Sequence, residues 1–465
     1  MKRMIALLLA LCSLLSLAAC GNVMLTEAPE ATEAPEEAQT LLEAEDPAMT
    51  RRPLQEDYLE ENGWELREEY YELARAWRQE LAAQRALPEE EAESLTPWLR
   101  AGIPSLLGQQ EGENLAFSPL NLYLALAMLA EVTDGQSRQQ ILDLLGAEDP
   151  EALRRSAGAV WRTSYQNDGQ TTSLLASSLW LSSGIDYHRE TLELLRDCCH
   201  ASSFRGEMGS PAYDALLQDW INEQTGNLLR EQAAGVHMDA ETVLSLVTTL
   251  YFQAGWEDKF WDAATGDGLF HSPEGEETVS FMHKSETRHY FWGEHFGAVG
   301  LEMENGGDMW LLLPEEGTSP EELARDEELM DFLLCRDKFS WDRQQLLTVN
   351  LSLPKFDVSA DLRLEEALQD LGVRDVFLPG TADFSPLTDD AENLAVSQVR
   401  HAARVRIDEE GCEAAAYTVI SVEVTGAAPP EEELDFVLDR PFLFVVTNGA
   451  GLPLFVGVVN HPAAA

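Results

Sequence analysis

Residues 409 to 433 read EEGCEAAAYTVISVEVTGAAPPEEE. The stretch opens as an acidic turn, passes through three alanines into a β-branched series, and closes on a diproline. No Lys or Arg occurs between Arg406 and Arg440. Small residues followed directly by strand formers, with acidic residues at both ends, are an unusual order whose reason has to be sought in the rest of the chain.

Strand signals recur in the rest of the chain. "LSLVTTLYFQAGWEDKF", Leu244 to Phe260, is a long β-branched and aromatic run suited to a central strand buried on both faces. "MWLLLPEEG", "LLTVNLSLPKFDV" and "DRPFLFVVTNGAGLPLFVGVVN" supply further strands, the last as a hairpin around Asn448-Gly449. Helices dominate earlier. In "NLAFSPLNLYLALAMLAEVTDGQSRQQILDLLG", Ser118 is placed to cap a helix whose first position is Pro119. Asp134-Gly135 breaks it, and Ser137 with Gln140 forms a capping-box pattern for the next. Pro104, within the first helix of this domain, is expected to kink it. Helices first and strands later give an α+β fold.

The N-terminal residues have a different character. "MKRMIALLLALCSLLSLAAC" carries Lys2 and Arg3, an apolar run of about 13 residues and small residues before a cysteine, the form of a secretory signal over residues 1–19. "LAAC", ending at Cys20, resembles the lipobox of bacterial lipoproteins, in which that cysteine is lipidated. Residues 20–55, rich in Glu, Ala, Pro and Thr, are expected to form an extended, disordered, acidic tether. Leu66, Tyr70, Leu73, Trp77 and Leu81 then recur at helical spacing, so residues 56–93 are expected to be a helical extension to a main domain at 94–465.

Composition excludes several functions. The 465 residues are 45% hydrophobic, enough for a large core, and 31 Lys+Arg against 83 Asp+Glu give a net charge of -52. That charge repels phosphate backbones and anionic lipid surfaces, so no nucleic-acid partner is expected, and membrane association only through the lipid anchor. No nucleophile elbow, zinc-protease helix or phosphate-binding loop motif is present, and nine scattered His give no metal cluster. Neither a cofactor nor an enzymatic activity is expected. Cys198, Cys199, Cys335 and Cys412 lack zinc-ligand spacing and are expected to be free or buried thiols.

Taken together, the motifs from Ser94 to Pro462 resemble those of the serpins. In family order they are "NLAFSPL" with "LALAM", "WINEQTGNLL" at Trp220, "LYFQAGWEDKF", "LPKFDV" at Leu353, "LGVRDVF" with "ADFSPLT", "VSQVRHAARVRIDEEGCEAAA", "DRPFLFVV" and "PLFVGVVNHP". The resemblance implies a large mixed sheet with additional sheets and surrounding helices, and an exposed reactive-centre loop at about 409–430. It also implies a suicide-substrate inhibitor: a protease cleaves the loop, an acyl-enzyme forms, and the freed loop inserts into the main sheet before hydrolysis finishes. Glu409, Glu410, Gly411, Cys412, Glu413, Ala414, Ala415 and Ala416 would be the hinge. Ser118 and His401 would form the shutter, with Thr248 where the family usually has Asn; Trp256, Lys355 and Glu409 would form the breach where insertion starts. Cys412 replaces the usual Thr or Ser, and its oxidation is expected to slow insertion. Counting from Gly411 puts Thr425 before the scissile bond, whereas counting back from Pro429-Pro430 puts Gly426 there. Both are small, which suits elastase-like or subtilisin-like serine proteases, a papain-like cysteine protease being the less favoured target and a trypsin-like pocket having no Lys or Arg to take. A monomeric cell-surface lipoprotein is expected, secreted if the anchor is absent. The competing reading is a non-inhibitory serpin acting as a surface binding or structural lipoprotein.

Overall fold

The computed structural model describes residues 38–60, 64–109, 111–304, 306–391, 394–412, 430 and 432–463. Cys20, Glu413 to Ala416, Thr425 and Gly426 lie outside the described residues. Two sheets carry the domain. The main one runs in the order β1 (Gln39–Leu42), β5 (Ala201–Gly206), β4 (Thr172–Ser182), β6 (Leu244–Gly255), β14 (Gly411–Cys412), β13 (Arg400–Ile407) and β12 (Phe356–Arg363), with β3 (Gln166–Asn167) paired to β4. The second runs β15 (Glu433–Val437), β11 (Gln344–Pro354), β8 (Gly275–Trp292), β9 (Phe296–Glu302), β10 (Asp308–Pro314), β16 (Phe442–Thr447), β17 (Pro453–Val459) and β2 (Leu115–Phe117), with β7 (Gly266–Ser272) on β8. Strands and helices alternate irregularly around both, as the α+β expectation requires.

Of the α-helices among the described residues, those before β6 place the functional elements: α1 (Glu68–Arg85), α2 (Glu89–Ser94), α3 (Thr96–Leu107), α4 (Pro119–Glu131), α5 (Gly135–Leu145), α6 (Pro150–Ser164), α7 (Arg189–Cys199), α8 (Pro211–Gln224) and α9 (Arg230–Ala234). Almost every residue of α4 is buried, because it packs against β6 on one side and β17 on the other. Its start is as the sequence indicates, with Pro119 in the first turn and the Ser118 hydroxyl accepting from Asn121 N at 3.2 Å. On the opposite face of the main sheet, α8 covers β4 and β6. Trp180, Phe204, Tyr213 and Leu217 form a separate core beneath it. Pro104 lies in the last turn of α3, where its carbonyl accepts from Gly108 N.

Three expectations change. The segment 20–55 is not an extended tether over its second half: Leu42 is buried, β1 pairs antiparallel with the edge strand β5, and Tyr165 Oη donates to Pro47 O at 3.0 Å. Leu41 and Leu42 are the apolar pair in an acidic run, and an open sheet edge gives their backbone a hydrogen-bonding partner. In α1 the inward face is Tyr70, Ala74, Trp77 and Leu81; Leu66 precedes the helix in a bridge to Leu59, and Leu73 is exposed. This helix packs on α6, and the Trp77 indole donates to Asp168 at 3.1 Å, so residues 56–93 are part of the domain surface. The Ser137–Gln140 capping box does not form. Ser137 Oγ accepts from Asp383 N, and Gln140 Oε1 from Arg374 N and Asp375 N, so both side chains fasten a distant loop.

Candidate functional site

The site begins where β13 turns back on itself. Asp408 N donates to Gly411 O at 3.0 Å, Glu410 N donates to Asp408 Oδ1 at 2.9 Å, and Ile407 pairs with Cys412, which makes a tight reversal. Beyond it, Gly411 and Cys412 lie opposite Gly255 and Ala254 of β6. Two glycines face each other for a steric reason: a Cβ on Gly411 would stand 2.6 Å from Gly255 Cα, and one on Gly255 would stand 2.7 Å from Glu304 Oε2. Cys412 is buried here, packed within the core.

Polar side chains hold this turn. The fully buried Trp256 donates its indole N–H to Asp408 O at 2.8 Å, and its backbone N–H reaches Glu410 O at 3.0 Å. Glu409, 8% exposed, sits between Lys355 Nζ at 2.6 Å and Thr265 Oγ1 at 2.7 Å. Burial pushes the Glu409 carboxyl up, but the hydrogen bonds from Lys355 and Thr265 outweigh it and hold the group below its ordinary range. Trp256, Lys355 and Glu409 thus converge, as the resemblance implies. Sequence reasoning missed Thr265 and the Lys259–Glu410 ion pair, although Lys259 lies inside the quoted "GWEDKF". It also missed Arg52, whose 3.3 Å pair with Glu304 connects the N-terminal extension to the turn after β9, where Glu304 N donates to Gly255 O opposite the hinge at 2.9 Å.

Lower down the sheet, the Ser118 backbone N–H donates to His401 Nε2 at 3.0 Å. The imidazole accepts and is therefore neutral; full burial pushes its pKa down to about 4. His401 Nδ1, both polar atoms of the Asn121 amide, Ser177 Oγ and Thr249 Oγ1 are buried without a hydrogen-bond partner among the described residues. A buried polar group left without a partner costs about 1–3 kcal/mol, so an incoming donor or acceptor at any of these atoms would be stabilising. Thr248 is half-buried and lines the space beside β6, with no hydrogen bond to His401 among the described residues. Asn121 carries no signal in the sequence beyond its place after a helix cap.

The His401 geometry sets a pH dependence. An unfolded histidine takes its proton near pH 6.5 and the folded one near 4, so the stability it confers is complete above about 6.5 and falls as pH drops to about 4. The full loss is about 3 kcal/mol. Denaturant midpoints measured from pH 7 to 4 should fall more steeply for the native chain than for His401→Gln, which has no ring to protonate. Parallel slopes would remove His401 from the acid response.

Between these two centres the main sheet has a gap among the described residues. β6 pairs with β4 along its length, from Gln253 opposite Thr172 to Leu244 opposite Leu181. β13 pairs with β12 from Ile407 opposite Phe356 to Arg400 opposite Arg363. Among the described residues the only ladder linking these two halves is the two-residue β14. A narrow apolar cavity of about 50 Å³ lies beneath the unpaired flanks, lined by Leu122, Leu126, Leu246, Thr248 and Val399. Another of about 60 Å³ lies above, between Val247, Thr249 and Ala402 and the α8–α9 cover at Ile221, Leu229 and Ala233. Arg400 and Arg404, paired with Asp361 and Asp357 of β12, reach over to Gly235 O at 3.0 Å and Leu228 O at 3.3 Å of that cover.

Among the described residues, then, the interior strand between β6 and β13 is only two residues long and sits at the top of the sheet. The family described as serpin (serine protease inhibitor) matches residues 103–462. The chain belongs to the serpin family. Serpin-ZX of Arabidopsis thaliana is 28% identical over 370 residues, covering 76% of this chain and 93% of that one. Serpin-Z2B of Triticum aestivum is 29% identical over 370 residues, 75% and 90% of the two chains. The native-state structure of the thermophilic serpin tengpin superimposes with a TM-score of 0.71 at 26% identity, covering 81% of this chain and 95% of that one. Serpins are in general protease inhibitors rather than enzymes, though some do not inhibit. Among the described residues of this serpin no His, Cys, Asp or Glu cluster could hold a metal ion, and no helix is long and apolar enough to cross a membrane.

Proposed function

We propose that this serpin inhibits serine-type proteases as a suicide substrate, with residues 413 to 422 entering the main sheet between β6 and β13 after cleavage. One observation carries the reading: the β14 register, continued downward, gives every incoming residue a chemically suitable place. Gly411 opposite Gly255 and Cys412 opposite both Ala254 and Ile407 fix the alignment. Ala414 would then face Phe252 and Val405, Ala416 would face Leu250 and Ala403, Thr418 would face Thr248 and His401, and Ile420 would face Leu246 and Val399. Cys412 and the partner positions Ala254, Phe252, Leu250, Val405, Ala403 and His401 are buried, so this set points to the core. All of its incoming members are small or apolar except Thr418, which arrives beside the unpartnered His401 Nδ1. The alternate set fits equally well. Glu413 falls beside Arg406, while Tyr417 and Val419 fall beside Thr249, Ala402, Val247 and Arg400 beneath the apolar underside of α8–α9.

The target is set by the loop, where Thr425 or Gly426 precedes the scissile bond and no basic residue is present. Elastase-like or subtilisin-like proteases, whose pockets take small residues, are the proposed partners. The serpin would act as a monomer held at the cell surface through a lipid on Cys20. The N-terminal extension packs on the domain, so the assay uses the chain from Gly21 onward. It is mixed separately with elastase, subtilisin and trypsin, run on denaturing gels, and the released peptide is sequenced. A covalent band with elastase or subtilisin and a new N-terminus at Gly426 or Ala427 is expected. Cleavage at that place with no covalent band would sink the inhibitory reading in favour of a binding or structural serpin.

A further inference from the structure

The C-terminal turn of α7 ends in two adjacent cysteines whose sulfur atoms lie 3.3 Å apart. Cys198 is half-buried and Cys199 fully buried. The pair lies far along the chain from the loop and the hinge, and nothing in the inhibitory mechanism uses it. Around it stand Arg154 and Glu131, joined by two hydrogen bonds of 2.7 and 2.8 Å, with Glu131 itself buried. The hydrogen bond from Cys199 pulls the Cys198 thiol below its ordinary range, while donating that bond and lying fully buried push Cys199 above it. One thiol is therefore accessible and acidic, and its neighbour is shielded but already in contact.

We propose that Cys198 and Cys199 form a redox-modification site, in which a low-molecular-weight disulfide such as oxidised glutathione converts the two thiols to a disulfide between neighbours. In the first step the Cys198 thiolate attacks one sulfur of the reagent, the reagent's S–S bond breaks, and one equivalent of its thiolate leaves and takes a proton. In the second, Cys199 loses its proton and attacks the Cys198 sulfur of the mixed disulfide, releasing the second equivalent as thiol. Two protein thiols are oxidised by two electrons and one reagent disulfide is reduced to two thiols. The reagent reaches only Cys198, and Cys199 needs no access because its target is delivered to it.

The product is of the labile class. Successive Cα atoms are about 3.8 Å apart, below the span at which a disulfide is relaxed, and a bond formed under that constraint is readily reduced again. Its place in the fold favours the required adjustment, since α7 ends at Cys199 and His200 leaves the helix with φ 49° before β5 begins. His200 stacks on Trp161 with ring centroids 3.4 Å apart, so a change in that turn has an optical reporter beside it.

The test treats the folded chain with oxidised glutathione, blocks remaining thiols with iodoacetamide under denaturing conditions, and maps residues 197–205 by mass spectrometry. That peptide is expected to have lost two hydrogens, to carry no alkyl group, and to regain both thiols with dithiothreitol. Cys199→Ser should instead retain a glutathione adduct on Cys198, and Cys198→Ser should leave Cys199 free. A native chain that keeps glutathione on Cys198 with Cys199 alkylated, or leaves both alkylated, overturns the proposal. Phenylarsine oxide, which bridges two neighbouring thiols, gives a check without substitution: it must protect both cysteines of the native chain from alkylation, and failure to do so also overturns it.

Discussion

Cleaving this serpin within residues 423–429 should raise its melting temperature by about 20 °C or more. Among the described residues, β6 and β13 are joined only through Gly411 and Cys412, and several buried polar groups near Ser118 and His401 have no partner. Once the loop is cut, residues 413 to 422 are free to pair on both sides. Pairing on both sides gives about 20 ladder bonds, and at about 0.5 kcal/mol net for each the strand adds roughly 10 kcal/mol, before any gain from filling the two cavities. A change of 1 kcal/mol moves the midpoint of a large domain by about 2 °C, which gives the stated shift. Circular dichroism melts of intact and elastase-nicked protein would measure it. Equal midpoints would mean that the gap does not accept the loop, and the inhibitory reading would fail with it.

Ala416→Glu should turn the inhibitor into a substrate, while Ala415→Glu should leave inhibition nearly intact. The neighbouring positions differ only in which face of the new strand they occupy. Position 416 would press a carboxylate between Leu250 and Ala403, both buried, where an unpaired charge costs several kcal/mol. Position 415 would place it beside Arg404, one-third exposed and already paired with Asp357. Covalent complex formed per cleaved molecule is the readout; it should drop at least about tenfold for the first variant, as expected from a penalty above 1.4 kcal/mol on insertion, and by less than twofold for the second. The reverse order would show that the register continues differently from Gly411 and Cys412.

Much of this site was legible because it rests on local motifs with a stated physical role. Ser118 before Pro119 announces a cap, "GWEDKF" follows a strand, and Glu409-Glu410-Gly411 starts the loop. Their meeting in space, with Trp256, Lys355 and Glu409 around one turn and Ser118 against His401, followed from the family order of those motifs. What stayed hidden depends on contacts between distant segments. Ser137 and Gln140 satisfy a capping pattern, yet backbone donors far along the chain compete better for them. Residues 39–55 look like a tether by composition, because composition carries no information about an open sheet edge that backbone pairing covers. Arg400 and Arg404 carry no distinguishing signal in the sequence, because the carbonyls they reach belong to residues 235 and 228, far along the chain.

Those two arginines bear on timing. An acyl-enzyme has a finite lifetime, and trapping requires the strand to travel the length of the sheet within it. The carbonyls of Gly235 and Leu228 must part from Arg400 and Arg404, or move with them, before Tyr417 and Val419 pass beneath. Under the proposed mechanism, the fraction of proteases captured instead of released would be the outcome of a race between two first-order processes. The guanidinium clasps brake only one of them.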